Sequence, residues 1–152
     1  MIKEDTIDYN VRKTWNNFSK LYNKIAIQYM GSMALAMIVL NIDPVDGTPS
    51  TQLGPNIGIE PTSLSRSIKK LVEMGIVKKE SNQKDKRKTL IKLTDFGIER
   101  KEISKNTVLE INQKIYDEFS KDDIYKFITM MTKINKILKQ EQKIIDKKYS
   151  LK

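Results

Sequence analysis

The chain has 152 residues, a formal net charge of +9, and neither cysteine nor histidine. This length suits one domain with a sizeable core. The two missing residue types exclude disulfides, thiol redox sensing, Cys/His zinc sites and histidine-based catalysis. Because the sequence has no apolar run of membrane-spanning length and no signal-peptide pattern at its start, we expect a cytoplasmic protein without membrane contact.

The first predicted element is a long amphipathic helix that starts after Asp5 and Thr6. Its apolar and aromatic residues recur at spacings of four and three, which is typical of one helical face. They are Ile7, Val11, Trp15, Phe18, Tyr22, Ile25 and Tyr29. Gly31 and Ser32 then end this helix and start a second one, over residues 33–42. Since the second segment is apolar on all sides, it predicts a helix buried in the middle of the fold.

Residues 43–49 are rich in Asp, Pro and Gly, which predicts a turn region. Ser50 or Thr51 can cap a short third helix that runs to Ile57. A Gly-Pro pair at 54–55 lies inside this segment. Proline lacks an amide donor and crowds the preceding turn, so we predict a short or distorted helix here.

The fourth predicted helix begins at Pro61 and ends just before Gly75, positions that suit these two residue types. One face carries Leu64, Ile68, Leu71 and Val72. The opposite face carries Thr62, Arg66, Lys69 and Glu73, flanked by Ser63, Ser65 and Lys70. This separation predicts the second helix of a helix-turn-helix, with a polar face directed outward.

Two short strands, 76–80 and 89–93, are predicted next, and a loop of mostly polar and basic residues joins them. Thr94 and Asp95 start another helix, and residues 120–123 separate it from the last one. The last helix has a heptad-like series of apolar residues: Ile124, Phe127, Met131, Ile134, Leu138 and Ile145. The predicted fold class is mainly α with a small β-hairpin wing.

Positive charge is concentrated between residues 66 and 92, a segment that contains ten Lys or Arg and three Asp or Glu. Phosphate neutralisation by such a cluster supplies most of the sequence-independent energy of DNA binding. A basic loop by itself is more often a solvated turn. Its position beside an exposed Ser/Arg/Lys helix favours double-stranded DNA as the partner.

The long end helices have more apolar surface than a small winged-helix domain covers. A second copy of the chain would cover it, and a two-fold dimer would place two recognition helices about one DNA turn apart, matching a pseudo-palindromic operator. The alternative is a monomer whose end helices fold back over the central segment.

Two acidic pairs, 117–118 and 122–123, form tight carboxylate clusters. Their spacing is that of the end and start of neighbouring helices, where Asp and Glu serve as caps and interact with the helix dipole. We therefore predict no enzyme activity, no metal site and no cofactor.

Three motifs in the predicted order resemble the MarR family of bacterial winged-helix regulators, and the resemblance covers almost the whole chain. Residues 61–77 (PTSLSRSIKKLVEMGIV) are similar to the family's recognition helix and its exit into the wing. Asp85-Lys86-Arg87 has the family's Asp-x-Arg wing pattern, and residues 93–97 (LTDFG) match Leu-Thr-x-x-Gly at the start of its fifth helix. The resemblance implies a single domain over 1–152, with a winged helix-turn-helix at 33–94 and dimerisation helices at 5–30 and 95–149.

Winged helix-turn-helix docking places the first residues of the recognition helix against base edges in the major groove. The candidates for this readout are Thr62, Ser63, Ser65 and Arg66. The Arg66 guanidinium can donate two parallel hydrogen bonds to a guanine, a contact worth about 1 to 3 kcal/mol of discrimination. Lys69 and Lys70 lie a turn further along and suit phosphates.

The resemblance assigns the wing tip to the minor groove. It implies that Arg87 enters this groove while Asp85 holds the wing or the guanidinium in position, and narrow A·T-rich grooves favour such an arginine. Lys84, Lys86 and Lys88 would then contact the DNA backbone.

Members of the family commonly release DNA when a small molecule enters a crevice beside the dimerisation helices. The resemblance implies a lining that suits a small apolar or aromatic ligand. The lining residues would be Trp15, Phe18, Tyr22, Met30, Met33 and Met37. The alternative is that these side chains are packed core.

The sequence therefore predicts a homodimeric, sequence-specific DNA-binding regulator, a repressor released by a small-molecule effector. One alternative is an architectural winged-helix protein that binds nucleic acid without sequence preference and has no effector. Another is a carboxylate-based, metal-dependent nuclease.

Overall fold

A computed structural model describes residues 3–81 and 89–150 of the chain, and it contains the predicted helices in the predicted order together with a three-stranded antiparallel sheet. A short 3-10 helix, Lys3–Asp5, precedes them. The α-helices are α1 (Ile7–Ala26), α2 (Met33–Leu40), α3 (Ser50–Ile57), α4 (Pro61–Glu73), α5 (Asp95–Tyr116) and α6 (Lys121–Ser150). The strands are β1 (Thr48–Pro49), β2 (Val77–Ser81) and β3 (Thr89–Leu93). The predicted fold class, mainly α with a small β-hairpin wing, is confirmed.

Helix α1 ends earlier than the apolar pattern indicates. The pattern continues to Tyr29, but the helix ends at Ala26. The Ala26 carbonyl accepts hydrogen bonds from the amides of Tyr29, Met30 and Gly31 at 3.2, 2.7 and 3.1 Å, so the chain closes into a tight turn. Gly31 has a positive φ of 82°, which a glycine adopts without strain. This turn brings Met30 into the core, where it is fully buried.

The sheet has one strand more than the predicted hairpin. Its strand order is β1-β3-β2, with Thr48 opposite Ile91 and Pro49 opposite Leu90. A two-residue strand that contains proline has no alternating pattern, so the sequence gives no signal for it, and proline is tolerated because β1 lies at the sheet edge.

Helix α2 lies in the hydrophobic core, as its uniform apolarity predicts. Four of its eight residues are buried: Leu35, Ala36, Ile38 and Val39. The largest fully buried side chains around it come from the α1–α2 turn, α3, α4 and the sheet: Met30, Ile42, Leu53, Leu71, Ile76 and Ile91. One core therefore holds α2, the helix-turn-helix and the sheet together.

The chain divides into two compact units, Met1–Thr107 and Val108–Lys152, with the boundary inside α5. The first unit contains the core. In the second unit, α6 has apolar residues along its length and none of them is buried. Among the described residues, no helix is both long and apolar enough to cross a membrane.

The acidic pairs lie on either side of the break between α5 and α6. The Ser120 hydroxyl accepts a hydrogen bond from the Asp123 amide at 3.1 Å, which caps the start of α6. Asp122 forms an ion pair with Lys126 at 2.6 Å within the first turns of the same helix. The prediction that the second acidic pair belongs to a helix start is confirmed.

Lys101 of α5 closes the C-terminal end of α2. Its ammonium donates hydrogen bonds to the carbonyls of Leu40 and Ile42 at 2.7 and 2.6 Å, and the Val39 carbonyl lies at 3.4 Å. The last carbonyls of a helix have no partner within the helix, and a cation is favoured there. Burial lowers the pKa of Lys101, whereas the nearby Asp43 carboxylate raises it.

We expect Lys101→Met to lower the free energy of unfolding by about 2 to 3 kcal/mol, because partly buried carbonyls lose a charged donor. The control is Lys105→Met, one turn further along α5, where the exposed lysine only pairs with Glu102 at 3.4 Å. Such exposed pairs contribute at most about 1 kcal/mol. Urea denaturation of both variants at one protein concentration measures the difference. Equal losses would contradict the capping role.

Candidate nucleic-acid interface

Helices α3 and α4 form the helix-turn-helix, and the turn between them requires two glycines. Gly54 is buried in α3, where an added Cβ would lie 2.9 Å from the carbonyl oxygen of Ile59. Gly58 has a positive φ of 68°, and the Ile59 amide donates to the Gly54 carbonyl at 3.0 Å. The chain thus folds directly onto α3 before α4 begins.

This packing explains the Gly-Pro pair in α3. The predicted short helix is confirmed, since α3 has eight residues, and it continues through Pro55. Glycine is needed at position 54 because the turn approaches so closely, whereas Pro55 is exposed and lines the groove beside the turn.

Helix α4 buries one face and exposes the other. Of the four residues predicted for the buried face, Val72 is an exception, because it lies near the end of the helix and is 40% exposed. Leu64, Ile68 and Leu71 are in the core. All six residues that the sequence assigns to DNA on this helix are exposed: Thr62, Ser63, Ser65, Arg66, Lys69 and Lys70. We call this set the α4 polar face.

The lysines of the α4 polar face have different neighbours. The Lys69 ammonium lies 4.0 Å from a carboxylate oxygen of Glu73, and both side chains are well exposed. Such a pair contributes little and leaves Lys69 free to exchange Glu73 for a phosphate. The Lys70 ammonium lies beside the α1–α2 turn, 4.0 Å from the position of a Cβ on Gly31.

The exit from α4 is fixed by hydrogen bonds around Gly75, which has a positive φ of 69°. The amides of Gly75 and Ile76 donate to the carbonyls of Val72 and Leu71, both at 2.9 Å, in a Schellman arrangement. The Thr94 hydroxyl donates to the Gly75 carbonyl at 2.6 Å and accepts from the Gly97 amide at 3.0 Å, which caps α5.

Gly97 packs directly against the backbone at the start of β2. A Cβ at this position would overlap with the carbonyl group of Ile76. The Leu-Thr-x-x-Gly motif therefore has a structural basis, because its threonine caps α5 and its glycine lets α5 contact the turn after α4.

The outer face of β2 and β3 carries an ion cluster that the sequence reasoning missed. Lys78 and Lys92 are directly opposite each other in the sheet. Glu80 bridges them, with one carboxylate oxygen 2.9 Å from the Lys78 ammonium and the other 3.1 Å from that of Lys92. The i,i+2 spacing of Lys78 and Glu80 was visible in the sequence, but the position of Lys92 depends on the strand register.

The predicted wing-tip residues lie outside the described part of the chain. They are Lys84, Asp85, Lys86, Arg87 and Lys88. Their assignment to DNA stays a prediction from the sequence.

The six residues predicted to line an effector crevice have different environments. Phe18 and Tyr22 of α1 stack with their ring centroids 5.8 Å apart. Met30 is fully buried and Trp15 is half exposed. Met33 and Met37 of α2 are partly buried. Met30 thus belongs to the packed core, while the aromatic residues retain accessible surface.

An open groove of about 590 Å³ lies elsewhere, between α3 and α4. Its lining includes Thr51, Pro55, Pro61 and Ser65, and none of the six predicted effector residues. It is a concave part of the helix-turn-helix surface.

The chain is similar in sequence to one family and in structure to several solved proteins. A family model described as "Winged helix DNA-binding domain" matches residues 36–97. No curated protein sequence matches the chain significantly.

Among solved structures, a MarR/EmrR family transcriptional regulator from Acinetobacter sp. ADP1 is 20% identical, with a TM-score of 0.79 over 92% of this chain and 99% of that chain. S. aureus MepR, solved as a DNA complex, is 16% identical, with a TM-score of 0.79 over 88% and 98% of the two chains. PcaV of Streptomyces coelicolor, solved with its natural ligand, is 14% identical, with a TM-score of 0.74 over 90% and 96%. Residues 36–97 therefore match the model of a winged helix DNA-binding domain, and the chain has the fold of the MarR-family transcriptional regulators.

Proposed function

We propose that this chain is a homodimeric, sequence-specific regulator of transcription that represses by occluding a promoter and is released from DNA by a small molecule. The observation that carries the proposal is the α4 polar face. It presents hydroxyls, a guanidinium and two ammonium groups on a helix whose other face is anchored in the core. A helix of this kind fits the major groove, where guanidinium and hydroxyl groups can read base edges. The DNA complex of the similarly folded MepR supports the proposal.

We assign the sequence-specific base contact to Arg66, whose side chain is exposed near the start of α4. On an operator selected from random duplexes, we expect Arg66→Ala to reduce the ratio of operator to random affinity by about tenfold or more, since a bidentate guanine contact is lost. Arg66→Lys keeps the charge and should recover binding to random DNA only. Lys69→Ala should weaken binding to both duplexes equally.

Lys105→Ala is the control, because it removes an exposed cation from α5. Arg87→Ala is expected on sequence grounds alone to weaken operator binding as well. Fluorescence anisotropy at one salt concentration measures all of these affinities. If Arg66→Ala leaves the ratio of operator to random affinity unchanged, Arg66 does not read a base. If the wild-type protein binds selected and random duplexes equally, the architectural alternative is favoured.

The dimer is proposed from apolar residues that are exposed within each unit. In the first unit, Ile7, Val11 and Trp15 of α1 are 59%, 42% and 50% exposed. In the second unit, Phe127, Leu138 and Ile145 of α6 are 58%, 59% and 50% exposed. These residues recur along the apolar face of each helix, and a second copy of the chain would remove this surface from water.

We expect the wild-type chain to be a dimer and Leu138→Lys to raise the dimer dissociation constant about tenfold or more, because an unpaired charge would be buried at the interface. Gln140→Lys is the control, since it adds the same charge on the polar side of α6. Sedimentation equilibrium measures both constants. If the two variants dissociate equally, the apolar face of α6 is not part of the dimer interface.

The effector is proposed to bind beside α1, where the stacked rings of Phe18 and Tyr22 offer an apolar surface that is partly accessible. PcaV, which has the same fold, was solved with its natural ligand, and this supports a small molecule as partner. Aromatic rings beside flexible methionines suit a lipophilic acid or a phenol.

A matching compound at about a hundredfold excess over its Kd is expected to raise the melting temperature by about 5 to 10 °C. The shift should disappear in Phe18→Ala and persist in Thr51→Val, which alters the groove between α3 and α4 instead. Differential scanning fluorimetry with a panel of lipophilic acids and phenols tests this. No shift across the panel, or a shift that survives Phe18→Ala, would contradict the assigned site.

A further inference from the structure

The outer face of the wing strands has an unfavourable charge arrangement that one carboxylate corrects. Lys78 and Lys92 form a directly opposed pair in the antiparallel sheet, and like charges at such positions repel. Glu80 is the only acidic residue in β2 and β3. Its two oxygens contact one ammonium each, at 2.9 and 3.1 Å. The cluster therefore has a net charge of +1 instead of +2.

The Lys92 side chain is held in this position from its other side. A Cβ on Gly47 would lie 2.6 Å from Lys92 Cγ, so the lysine stem runs directly over the glycine. The Lys92 side chain is only 32% exposed, compared with 57% for Lys78. Because the stem is confined, the Lys92 ammonium stays within reach of Glu80.

Glu80 is ionised at neutral pH. Hydrogen bonds from the ammonium groups of Lys78 and then Lys92 lower its pKa below the ordinary value for glutamate. Its negative charge is thus a constant feature of the wing strands in any DNA-binding assay near pH 7.

We infer that Glu80 limits the affinity of the winged helix for duplex DNA of any sequence by neutralising Lys78 and Lys92, the two lysines on the outer face of the wing strands. This inference rests on the proposed DNA binding. Without Glu80, both ammonium groups would be available to phosphates. With Glu80 present, a phosphate contact by Lys78 or Lys92 must replace an ion pair with Glu80, and it also places the Glu80 carboxylate beside the DNA backbone.

The salt dependence of binding measures how many phosphates are neutralised. Each additional phosphate steepens the slope of log K against log salt by about 0.9, which corresponds to about a 3.5-fold larger loss of affinity between 50 and 200 mM salt. For a dimer that gains one phosphate contact per subunit, the additional factor is about twelvefold. An effect of this size is easily resolved.

The test is a double-mutant cycle on the full chain with Glu80→Gln, Lys78→Gln and the double variant. The probe is a random-sequence duplex of about 30 base pairs, and anisotropy gives Kd at 50, 100 and 200 mM salt. We expect E80Q to bind more tightly than wild type at 50 mM salt and to have the steeper slope. Lys78→Gln should weaken DNA binding slightly in the wild-type background and strongly in the E80Q background, because Glu80 neutralises Lys78 in the wild type and not in E80Q.

Glu102→Gln is the matched control. It removes the same charge from an exposed ion pair, that of Glu102 with Lys105 on α5, and gives the chain the same net charge. If E80Q binds no more tightly than E102Q, or if the effects of E80Q and K78Q are additive, the inference is wrong. If the wild-type chain binds neither random nor selected duplexes at 50 mM salt, the proposed function itself fails.

Loss of Glu80 also leaves two directly opposed lysines without a carboxylate between them. We therefore expect E80Q to have a lower melting temperature than wild type, and K78Q/E80Q to have a melting temperature close to that of wild type. Circular dichroism at the assay temperature checks folding. If E80Q alone does not fold, K78Q/E80Q is compared with K78Q/E102Q, which has the same net charge. Tighter binding by K78Q/E80Q supports the inference, and equal or weaker binding overturns it.

Discussion

The carbonyl group of Ile76 is the point at which the recognition helix, the wing and α5 are joined. It accepts the Thr94 amide at 3.1 Å, and Gly97 packs against it so closely that no side chain fits there. Ile76 lies between the end of α4 and the start of β2, whereas Thr94 and Gly97 lie at the start of α5, directly after β3. The contact therefore connects the end of α4, the base of the wing strands and the start of α5. The proposed docking of a helix and a hairpin in neighbouring grooves of one duplex requires such a rigid connection.

The buried face of α4 stabilises the fold, and the opposite face carries the residues proposed to contact DNA. Burial of Leu64, Ile68 and Leu71 contributes roughly 1.5 to 3 kcal/mol for each side chain, which anchors the helix in the core. Arg66 and Lys69 on the other face contribute little to folding because they are exposed. Substitutions on the polar face can therefore change binding while the fold is retained. The same separation lets the exposed residues of α4 vary independently of the core.

The sequence predicted the helices and the wing strands well, because each has a clear apolar pattern and most have a glycine, proline or hydroxyl residue at a boundary. The starts of α2 and α4 follow directly from Ser32, whose hydroxyl caps α2, and from Pro61. The predicted cap of α3 by Ser50 or Thr51 is wrong, because Pro49 occupies the cap position and Ser50 is already in the first turn. The burial of Met30 could not be predicted, since it depends on a turn that begins inside an unbroken apolar pattern. The role of Glu80 was also missed, because its second partner, Lys92, lies twelve positions away and is brought close only by the strand register.

The excess of positive charge between residues 66 and 92 is not distributed evenly over the surface. On α4, Arg66 is exposed and Lys69 has a weak partner at 4.0 Å, whereas on the wing strands Lys78 and Lys92 share a carboxylate at about 3 Å. Contacts to phosphates attract a protein to every sequence alike, while contacts to bases discriminate between sequences. On the inference drawn for Glu80, its carboxylate reduces the first kind of contact and leaves the residues of α4 that are proposed to read bases unchanged. A regulator competes against a vast excess of non-specific sites. Weaker attraction to the backbone would therefore release the proposed regulator sooner from wrong sequences, and base contacts by α4 would decide where it stays.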